Sequence, residues 1–376
     1  MNTILHIIKK EFLQFRRDRR MFAISFVAPV FQLIMLGYAA NLDVRNVPTA
    51  ICDLDNSRTS REFVASFSNS GYFEQRYFVD EMKHIDGLID NGEVALAIII
   101  PRNFSRDLTA GKSPQLQIIA DGSDANTGTI GLNYASMIVS EYSGDILMKA
   151  LERRTDVGNT PKLIKAEIRV WYNPELKSRN FMIPGVLALL LMVVTLILTS
   201  LAIVKEKEIG TMEQLIVTPI KPHQLIIGKL APFTLIGLVD IILVLLVATL
   251  WFGVPVRGSV FLLFFLCAVF LLTTLGLGLL VSTVSRNQQQ AMMTSIFFIM
   301  LPMIYFSGFV FPIPNMPPIF QYFSYLLPLR YFFVIIRGIF LKGVGIAELW
   351  DQALILLLFG IGILGLAVMR FQKRLE

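Results

Sequence analysis

The fold class follows from an uncharged stretch at positions 181–204, FMIPGVLALLLMVVTLILTSLAIV. A helix needs about 20 apolar residues to cross roughly 30 Å of hydrocarbon, so this stretch is long enough to span a membrane. Similar uncharged stretches occupy residues 21–40, 259–284, 291–310 and 353–369, and residues 230–253 form another that carries one acid. We therefore predict an α-helical membrane protein with six transmembrane helices.

The composition agrees with this class. Of 376 residues, 54% are hydrophobic and 16% are charged, whereas soluble domains average about 25% charged. A cleaved signal peptide is the alternative for residues 21–40, because Gly37, Ala39 and Ala40 offer small residues for cleavage. The apolar run is too long for that, since signal peptides have apolar cores of about 7–15 residues. We predict that it is retained as the first span.

The positive charges orient the spans, because Lys and Arg accumulate in the short loops on the cytosolic side. Four of them fall in loops on one side: Arg257, Arg330, Arg337 and Lys342. Fourteen fall on the other: Lys9, Lys10, Arg16, Arg17, Arg19, Arg20, Lys205, Lys207, Lys221, Lys229, Arg286, Arg370, Lys373 and Arg374. Both termini are therefore predicted to be cytosolic, which requires an even number of spans.

Residues 311–342 form a further apolar region that could be counted as a seventh span. The region contains several prolines, among them Pro317, Pro318 and Pro328, together with two arginines. Such residues would break a continuous helix and place charge in the bilayer. We predict a re-entrant or interfacial pair of short helices here, within a C-terminal membrane region at residues 180–376.

A hydrophilic insert at residues 41–179 separates the first two spans and is predicted to be an external α/β domain. Apolar runs at 47–53, 94–100 and 116–120 indicate strands. Helices are expected to start near Asn56 or Ser57, near Asn103, and near Asp124 or Asn126, whose side chains can cap them. The insert lacks a glycine-rich dinucleotide motif and a phosphate loop, so a folded cap without catalysis is favoured.

The charge distribution argues against nucleic-acid binding, and the cysteine and histidine content argues against a metal site. The insert carries 16 basic and 19 acidic residues, so the net charge of +6 comes from the membrane region and reflects orientation in the bilayer. Clustered basic residues interleaved with aromatics on a soluble face are missing. Two cysteines and three scattered histidines offer no zinc-type spacing.

The segment after the second span, residues 205–219, reads KEKEIGTMEQLIVTP. Glu208, Met212, Leu215 and Ile216 recur at roughly helical spacing and Pro219 ends the segment. On the predicted topology this short helix faces the cytosol, where a partner protein could hold it. A solvated charged loop is the alternative. The acidic residues of this segment favour the partner protein, because acids contribute little to the orientation of spans in the membrane and so need another role.

The pattern Glu-x-Gly-Thr-x-Glu-x-Leu-x-x-Thr-Pro at 208–219 resembles the coupling segment of type-2 ATP-binding-cassette exporter permeases. Residues 50–57, 100–105, 121–127 and 307–309 resemble the subgroup that has a large external domain and is associated with multidrug export. The resemblance implies docking on a separate ATPase subunit, whose closure this segment would transmit. The residues that it assigns to coupling are Glu206, Glu208, Gly210, Thr211, Glu213 and Leu215.

The same resemblance implies the partners and the cofactors. ATP and Mg would be bound by the partner ATPase, with no cofactor, no metal and no catalytic residue in this chain. A second permease, either a copy or a paralogue, would complete a dimer in the bacterial inner membrane, and a periplasmic adaptor is a further candidate partner. The chain itself has no complete Gly-x-x-x-x-Gly-Lys-Ser/Thr motif, so it cannot hydrolyse ATP by that route.

Residues 1–20 are predicted to form an amphipathic helix in the headgroup layer. Apolar side chains at Ile4, Leu5, Ile8, Phe12 and Phe15 follow helical spacing, with basic residues elsewhere. The resemblance makes this the connecting helix beside the ATPase. The pattern alone fits a simple lipid anchor equally well.

The expected substrate path combines flexible and aromatic side chains of the second and fifth spans, following the arrangement of the family. Its candidate residues are Met192, Met293, Phe297, Phe298 and Met300 of these two spans, together with Asp240 of the third span. Asp240 is the only acid within a predicted span, which is too few for an ion relay. It could pair with a neighbour, bind a cationic substrate or lie near an interface. Export of a lipid, glycan or ion, and a membrane-anchored sensor or assembly factor, are the alternative functions.

Overall fold

The computed structural model describes residues 2–39, 46–154, 171–173, 177–210 and 222–372. The chain forms two compact units, one from residues 1–42 and 169–376 and the other from residues 43–168. The second unit begins and ends close to the predicted insert at 41–179. Its end is 11 residues earlier than the sequence suggested.

The N-terminal part of the larger unit contains the helices α1 (Asn2–Arg17), α2 (Arg19–Phe22) and α3 (Ala28–Ala39), with a π-helical segment at Ala23–Val27. The smaller unit contains β1 (Val47–Asp53), α4 (Arg58–Asn69), β2 (Phe73–Phe78), α5 (Lys83–Asp90), β3 (Leu96–Ile100), α6 (Phe104–Thr109), β4 (Gln117–Ala120) and α7 (Ala125–Arg154). The larger unit resumes with α8 (Ser178–Glu208), α9 (Pro222–Leu246), α10 (Val260–Val284), α11 (Gln288–Thr294), α12 (Leu301–Phe306), α13 (Pro318–Ser324), α14 (Pro328–Arg337) and α15 (Ile346–Gln372).

The smaller unit is built on a four-stranded sheet with the order β2-β1-β3-β4. Strand β1 pairs in parallel with β2 and β3, and β4 pairs antiparallel with β3. Three of these strands lie where the apolar runs predicted them. The fourth, β2, was missed because it is an edge strand whose side chains, apart from Phe73, are largely open to solvent, so it shows no apolar run.

Helices cover both faces of the two central strands, which explains why β3 is buried at every position. One face packs Leu96, Ile98 and Ile100 against Phe63 and Phe67 of α4. The opposite face packs Ala97 and Ile99 against residues that include Ile85 of α5. The sequence thus specifies an α/β unit with its core on two sides of one sheet.

Side-chain caps fix two of the helices in this unit, as the sequence predicted. The hydroxyl of Ser57 accepts a hydrogen bond from the Ser60 N–H at 3.0 Å and starts α4. The carboxylate of Asp124 accepts from the N–H groups of Asn126 and Thr127 and starts α7. The side-chain hydrogen bond of Thr127, together with these two backbone hydrogen bonds, lowers the pKa of Asp124, because all three favour the ionised carboxylate. Asn103 precedes α6 without a side-chain cap.

In the part of the larger unit that the structure describes, five helices are long and apolar enough to cross a membrane: Ser178–Glu208, Gln224–Trp251, Val260–Val284, Gln288–Phe306 and Ile346–Arg370. These correspond to the predicted spans two to six. The predicted first span contains a shorter apolar helix at Ala23–Ala39. In the proline-rich region, Pro318–Ser324 and Pro328–Lys342 form a pair bent by 79°, which is either a broken span or a re-entrant loop.

Small and polar side chains bring the spans close together, as in other membrane bundles. The hydroxyls of Thr195 in α8 and Thr274 in α10 lie 2.8 Å apart and form a buried hydrogen bond. Gly237 of α9 lies beside Thr195 and Leu271, where an added Cβ would come within 3.0 Å of both side chains. Helices α8, α9 and α10 therefore pack as one tight group.

Candidate functional site

The charged start of the predicted coupling segment is the last turn of α8 and not a loop. Lys205, Glu206, Lys207 and Glu208 are the last four residues of this helix, and they are called the charged turn below. Each of the four contacts a different part of the larger unit. The turn therefore lies where the N-terminal helices, α9, α10 and α11 meet.

Lys205 connects the charged turn to the junction of α1 and α2. Its ammonium lies 2.9 Å from the carboxylate of Asp18. The other oxygen of Asp18 accepts a hydrogen bond from the Met21 N–H at 3.2 Å, at the start of α2. Asp18 thus contacts both the start of α2 and the end of α8.

Glu206 is at the centre of a buried ion cluster that joins three helices. Its carboxylate contacts Lys229 of α9 and Lys10 of α1, one through each oxygen. Lys229 also lies 3.2 Å from Glu11 of α1. The side chains of Glu11, Glu206 and Lys229 are 6%, 5% and 3% exposed, so these charges depend on one another for compensation.

Lys10 completes this ion cluster from its solvent-facing side. Its side chain is about half exposed, and its ammonium lies 3.3 Å from Glu11. Burial lowers the pKa of Lys10, but the hydrogen bonds and charges of Glu206 and Glu11 outweigh it and raise the pKa above the ordinary value. The cluster contains two lysines and two glutamates, so its formal charges sum to zero.

Lys207 and Glu208 extend the charged turn to the next two helices. The ammonium of Lys207 donates to the carbonyls of Ser282 and Ser285, at 3.3 and 3.0 Å, where α10 ends. A cation there also complements the negative end of the helix dipole. The carboxylate of Glu208 accepts from the backbone N–H and the side-chain amide of Gln288, the first residue of α11.

These contacts change how the acids of the segment are interpreted. The sequence suggested that Glu206 and Glu208 need a partner protein, but both are already bound within the chain. Gly210 has φ of +79° directly after the helix, a left-handed conformation that glycine adopts without steric cost at helix ends. Thr211, Glu213 and Leu215 lie outside the described residues, and their coupling role stays a prediction.

The N-terminal helix differs from the predicted amphipathic arrangement. The residues that face the bundle are Ile7, Glu11 and Phe15, which are 6–8% exposed, while Leu5 of the predicted apolar face is 57% exposed. Helix α1 lies against α9 so closely that a Cβ at Gly228 would be 2.8 Å from the Cβ of Ile7. The sequence prediction included Phe15 of this inward face but missed Ile7 and Glu11, because the buried charge of Glu11 is compensated in part by Lys229, which is distant in sequence.

The predicted path residues do not lie together on one surface. Met293, Phe297 and Phe298 are 44%, 57% and 78% exposed, and both phenylalanines lie on a π-helical segment between α11 and α12. Such segments are frequent at functional sites. Met300, at the end of this segment, is partly buried against the apolar core of the unit.

Met192 and Asp240 are instead enclosed within the bundle of a single chain. Met192 is 0% exposed and Asp240 is 1% exposed. One carboxylate oxygen of Asp240 has no hydrogen bond to any residue in the described part of the chain. Pairing with a neighbouring charge therefore finds no support among the described residues, and binding of a cationic substrate stays a prediction.

Sequence reasoning missed the residues that hold the charged turn in place. Lys10 and Lys229 were counted only as orientation signals, and Glu11 and Asp18 were not considered. One signal was available, since these two are the only acids in the first 20 residues. An acid that interrupts a basic amphipathic helix indicates a specific cationic partner.

Comparison with known proteins agrees with the prediction of a membrane permease. A family model described as ABC-2 family transporter protein matches residues 19–369. The chain belongs to this family. It is 33% identical over 369 residues to the probable multidrug ABC transporter permease YbhS of Escherichia coli K12, covering 98% of this chain and 96% of the relative.

Two further relatives from the same organism agree with this ABC-2 assignment. The probable multidrug ABC transporter permease YbhR is 32% identical, with 92% of each chain covered. The inner membrane transport permease YhhJ is 30% identical, with 87% of this chain and 85% of the relative covered. Membership of the ABC-2 family implies a membrane-embedded permease that works with an ABC ATPase.

Proposed function

We propose that this ABC-2 permease is the membrane subunit of an exporter that moves drugs or other amphipathic compounds out of the cytosol or the inner leaflet. The carrying observation is the charged turn, which contacts the N-terminal helices, α9, α10 and α11 and stands directly before the segment at 211–219. A push on that segment would reach all of these helices. The ATPase subunit would bind ATP and Mg and supply the push, while this chain performs no catalysis.

The proposed assembly pairs this chain with a second permease, either a copy or a paralogue, in the bacterial inner membrane. Six spans would result from the five long helices together with Ala23–Ala39, leaving the bent pair as a re-entrant element. Both termini would then be cytosolic and residues 41–179 external, in reach of a periplasmic adaptor. Multidrug export is supported by the names of YbhS and YbhR.

Transport would proceed by alternating access between the two permeases. Closure of the ATPase would move the charged turn and reopen the interface outward. The open face at Met293, Phe297 and Phe298 supports a path along this surface, because exposed aromatic and methionine side chains adapt to varied apolar ligands. Lipid-facing positions are the alternative role for the same side chains.

The exposed fraction of each side chain separates predicted path residues that contact exported compounds from those that pack inside the bundle. We expect Phe298→Ala to change the set of exported compounds with little effect on stability, because this side chain is 78% exposed. Met192→Ala should instead destabilise the protein by about 2–5 kcal/mol through a cavity, since Met192 is fully buried. Resistance profiles and thermal midpoints in detergent measure both. Equal loss of stability in the two variants would contradict this division.

Docking of the segment at 211–219 is tested with Glu213→Lys, since Glu213 lies in the segment and follows the charged turn. Glu213→Lys would remove one partner of a charge pair at the interface, which costs about 2–5 kcal/mol of binding free energy. We therefore expect the affinity for the ATPase to fall by at least about tenfold, measured by co-purification. Transport should fall with it.

Glu208→Gln is the matched control for this docking test, because its amide oxygen can still accept from Gln288. It should retain both the ATPase and transport. If Glu213→Lys leaves ATPase binding, ATP turnover and export intact, the proposed function fails. A chain that never co-purifies with an ATPase and confers no export would favour the sensor or assembly factor.

A further inference from the structure

A groove of about 820 Å³ lies beside the charged turn, between the junction of α1 and α2 and the end of α8. Its lining includes four cationic residues and one acid: Lys10, Arg17, Arg19, Lys205 and Asp18. The groove belongs entirely to the larger unit. It is therefore a cationic recess at the cytosolic end of the bundle.

The positive charge of this groove is only partly compensated inside the protein. Lys10 contacts Glu206 and Glu11, and Lys205 contacts Asp18. Arg17 and Arg19 are exposed and form no ion pair with any residue that the structure describes. Two guanidinium groups thus remain available, in a recess whose other cations add to the local potential.

The groove lies where the chain enters its first apolar helix. Arg19 begins α2, and the apolar stretch starts two residues later at Met21. Phe22 is 49% exposed and Val27 is 60% exposed just beyond it. Leu13 lines the groove itself and is 47% exposed. A cationic recess is therefore followed along the chain by an open apolar surface.

We propose that this groove binds the phosphate-bearing headgroup of an anionic phospholipid from the cytosolic leaflet. Planar guanidinium groups match phosphate oxygens bidentately, and Arg17 and Arg19 supply two of them. The acyl chains would lie along the apolar surface at Phe22 and Val27. An acidic protein segment would use the cations but not this surface, so the lipid fits both halves of the site.

Aromatic contacts keep the site preformed. Phe15 of α1 meets Phe26 edge-on, with ring centroids 5.9 Å apart, and Phe22 meets Phe26 at 5.0 Å. Together with the contacts of Asp18, these rings fix the angle between α1 and the first apolar helix. A bound lipid would consequently stabilise the angle that also positions Lys205 and the charged turn. The lipid site rests on the cytosolic orientation given under the proposed function. It does not depend on which compounds the protein exports.

The test measures lipid retention by the purified full chain with native mass spectrometry. The double variant Arg17→Gln and Arg19→Gln is compared with Lys9→Gln and Arg16→Gln, which removes two exposed cations of α1 outside the groove. Phosphatidylglycerol is titrated against zwitterionic phosphatidylcholine, with inorganic phosphate as a competitor. We expect the groove variant alone to lose about thirtyfold in affinity for phosphatidylglycerol.

Each other outcome overturns the proposal. Equal losses in both double variants indicate a general charge effect, and no loss in either shows that the groove is not used. Displacement of the lipid by inorganic phosphate at equal concentration indicates an ion site. Loss of ATPase co-purification with phosphatidylglycerol binding retained indicates that the groove docks the ATPase. The lipid measurement uses neither ATP nor drug, so its result is independent of the export test.

Discussion

Replacing Lys229 with methionine is expected to destabilise this permease by about 3–5 kcal/mol, because the change leaves buried acids without their cation. Lys229 is 3% exposed and contacts Glu11 and Glu206, which are 6% and 5% exposed. Lys10 contacts both acids but is half exposed, so it compensates them only in part. The thermal midpoint of the purified chain in detergent measures the effect.

A control and a rescue separate the ion cluster from general damage. Lys9→Met removes an exposed lysine of the same helix as Lys10 and should change stability by no more than about 0.5 kcal/mol. Replacing Lys229, Glu206 and Glu11 together by methionine should recover most of the stability, because apolar groups need no charge compensation. An unchanged midpoint in Lys229→Met alone would show that the cluster does not hold the helices.

The triple variant also tests whether the ion cluster transmits motion from the ATPase to the spanning helices. If the charged turn carries motion from the ATPase to α1 and α9, the rescued protein should remain folded and bind the ATPase. Its ATP turnover should no longer drive transport, because the directional contacts between the three helices are gone. Full transport in the rescued variant would show that packing alone is sufficient.

The spans could be predicted because lipid allows few solutions for a buried backbone. A segment such as 181–204 must form a helix to satisfy its own hydrogen bonds, and its apolar character alone identifies it. The cores of β1 and β3 were visible for a similar reason, since strands buried on both faces consist of continuous apolar residues. In each case the signal lies within one local stretch.

The contacts of the charged turn could not be predicted from the sequence, because they join residues that are far apart along the chain. Glu206 and Lys10 are separated by 196 positions, and Glu11 and Lys229 by 218. Nothing local distinguishes a lysine that orients a span from one that neutralises a buried acid. The missed strand β2 has the same origin, because its place in the sheet depends on pairing with β1 and not on its own side chains.

The second large effect is expected from Gly278→Ala, which adds a single methyl group between α8 and α10. The added Cβ would lie 2.8 Å from the Cβ of Thr199 and 2.9 Å from the carbonyl oxygen of Leu196. Neither atom is the end of a flexible side chain, so the helices themselves must separate. Overpacking of this kind costs about 1–3 kcal/mol and sometimes more, which a lower thermal midpoint should reveal.

Gly362→Ala in α15 is the matched control, since an added Cβ there meets nothing within 4 Å. The two variants make the same chemical change in two spanning helices, so helix propensity cannot explain a difference between them. Equal thermal midpoints for Gly278→Ala and Gly362→Ala would show that α8 and α10 can separate without loss of stability.

Separation at Gly278 should also affect coupling, because Lys207 of the charged turn donates to carbonyls at the end of α10. Gly278 lies one turn before Ser282, so a shift of α8 at this level is carried directly to that contact. We expect Gly278→Ala to lower transport per ATP hydrolysed by more than its loss of folded protein explains. Transport that falls only in proportion to folded protein would confine the effect of Gly278 to stability.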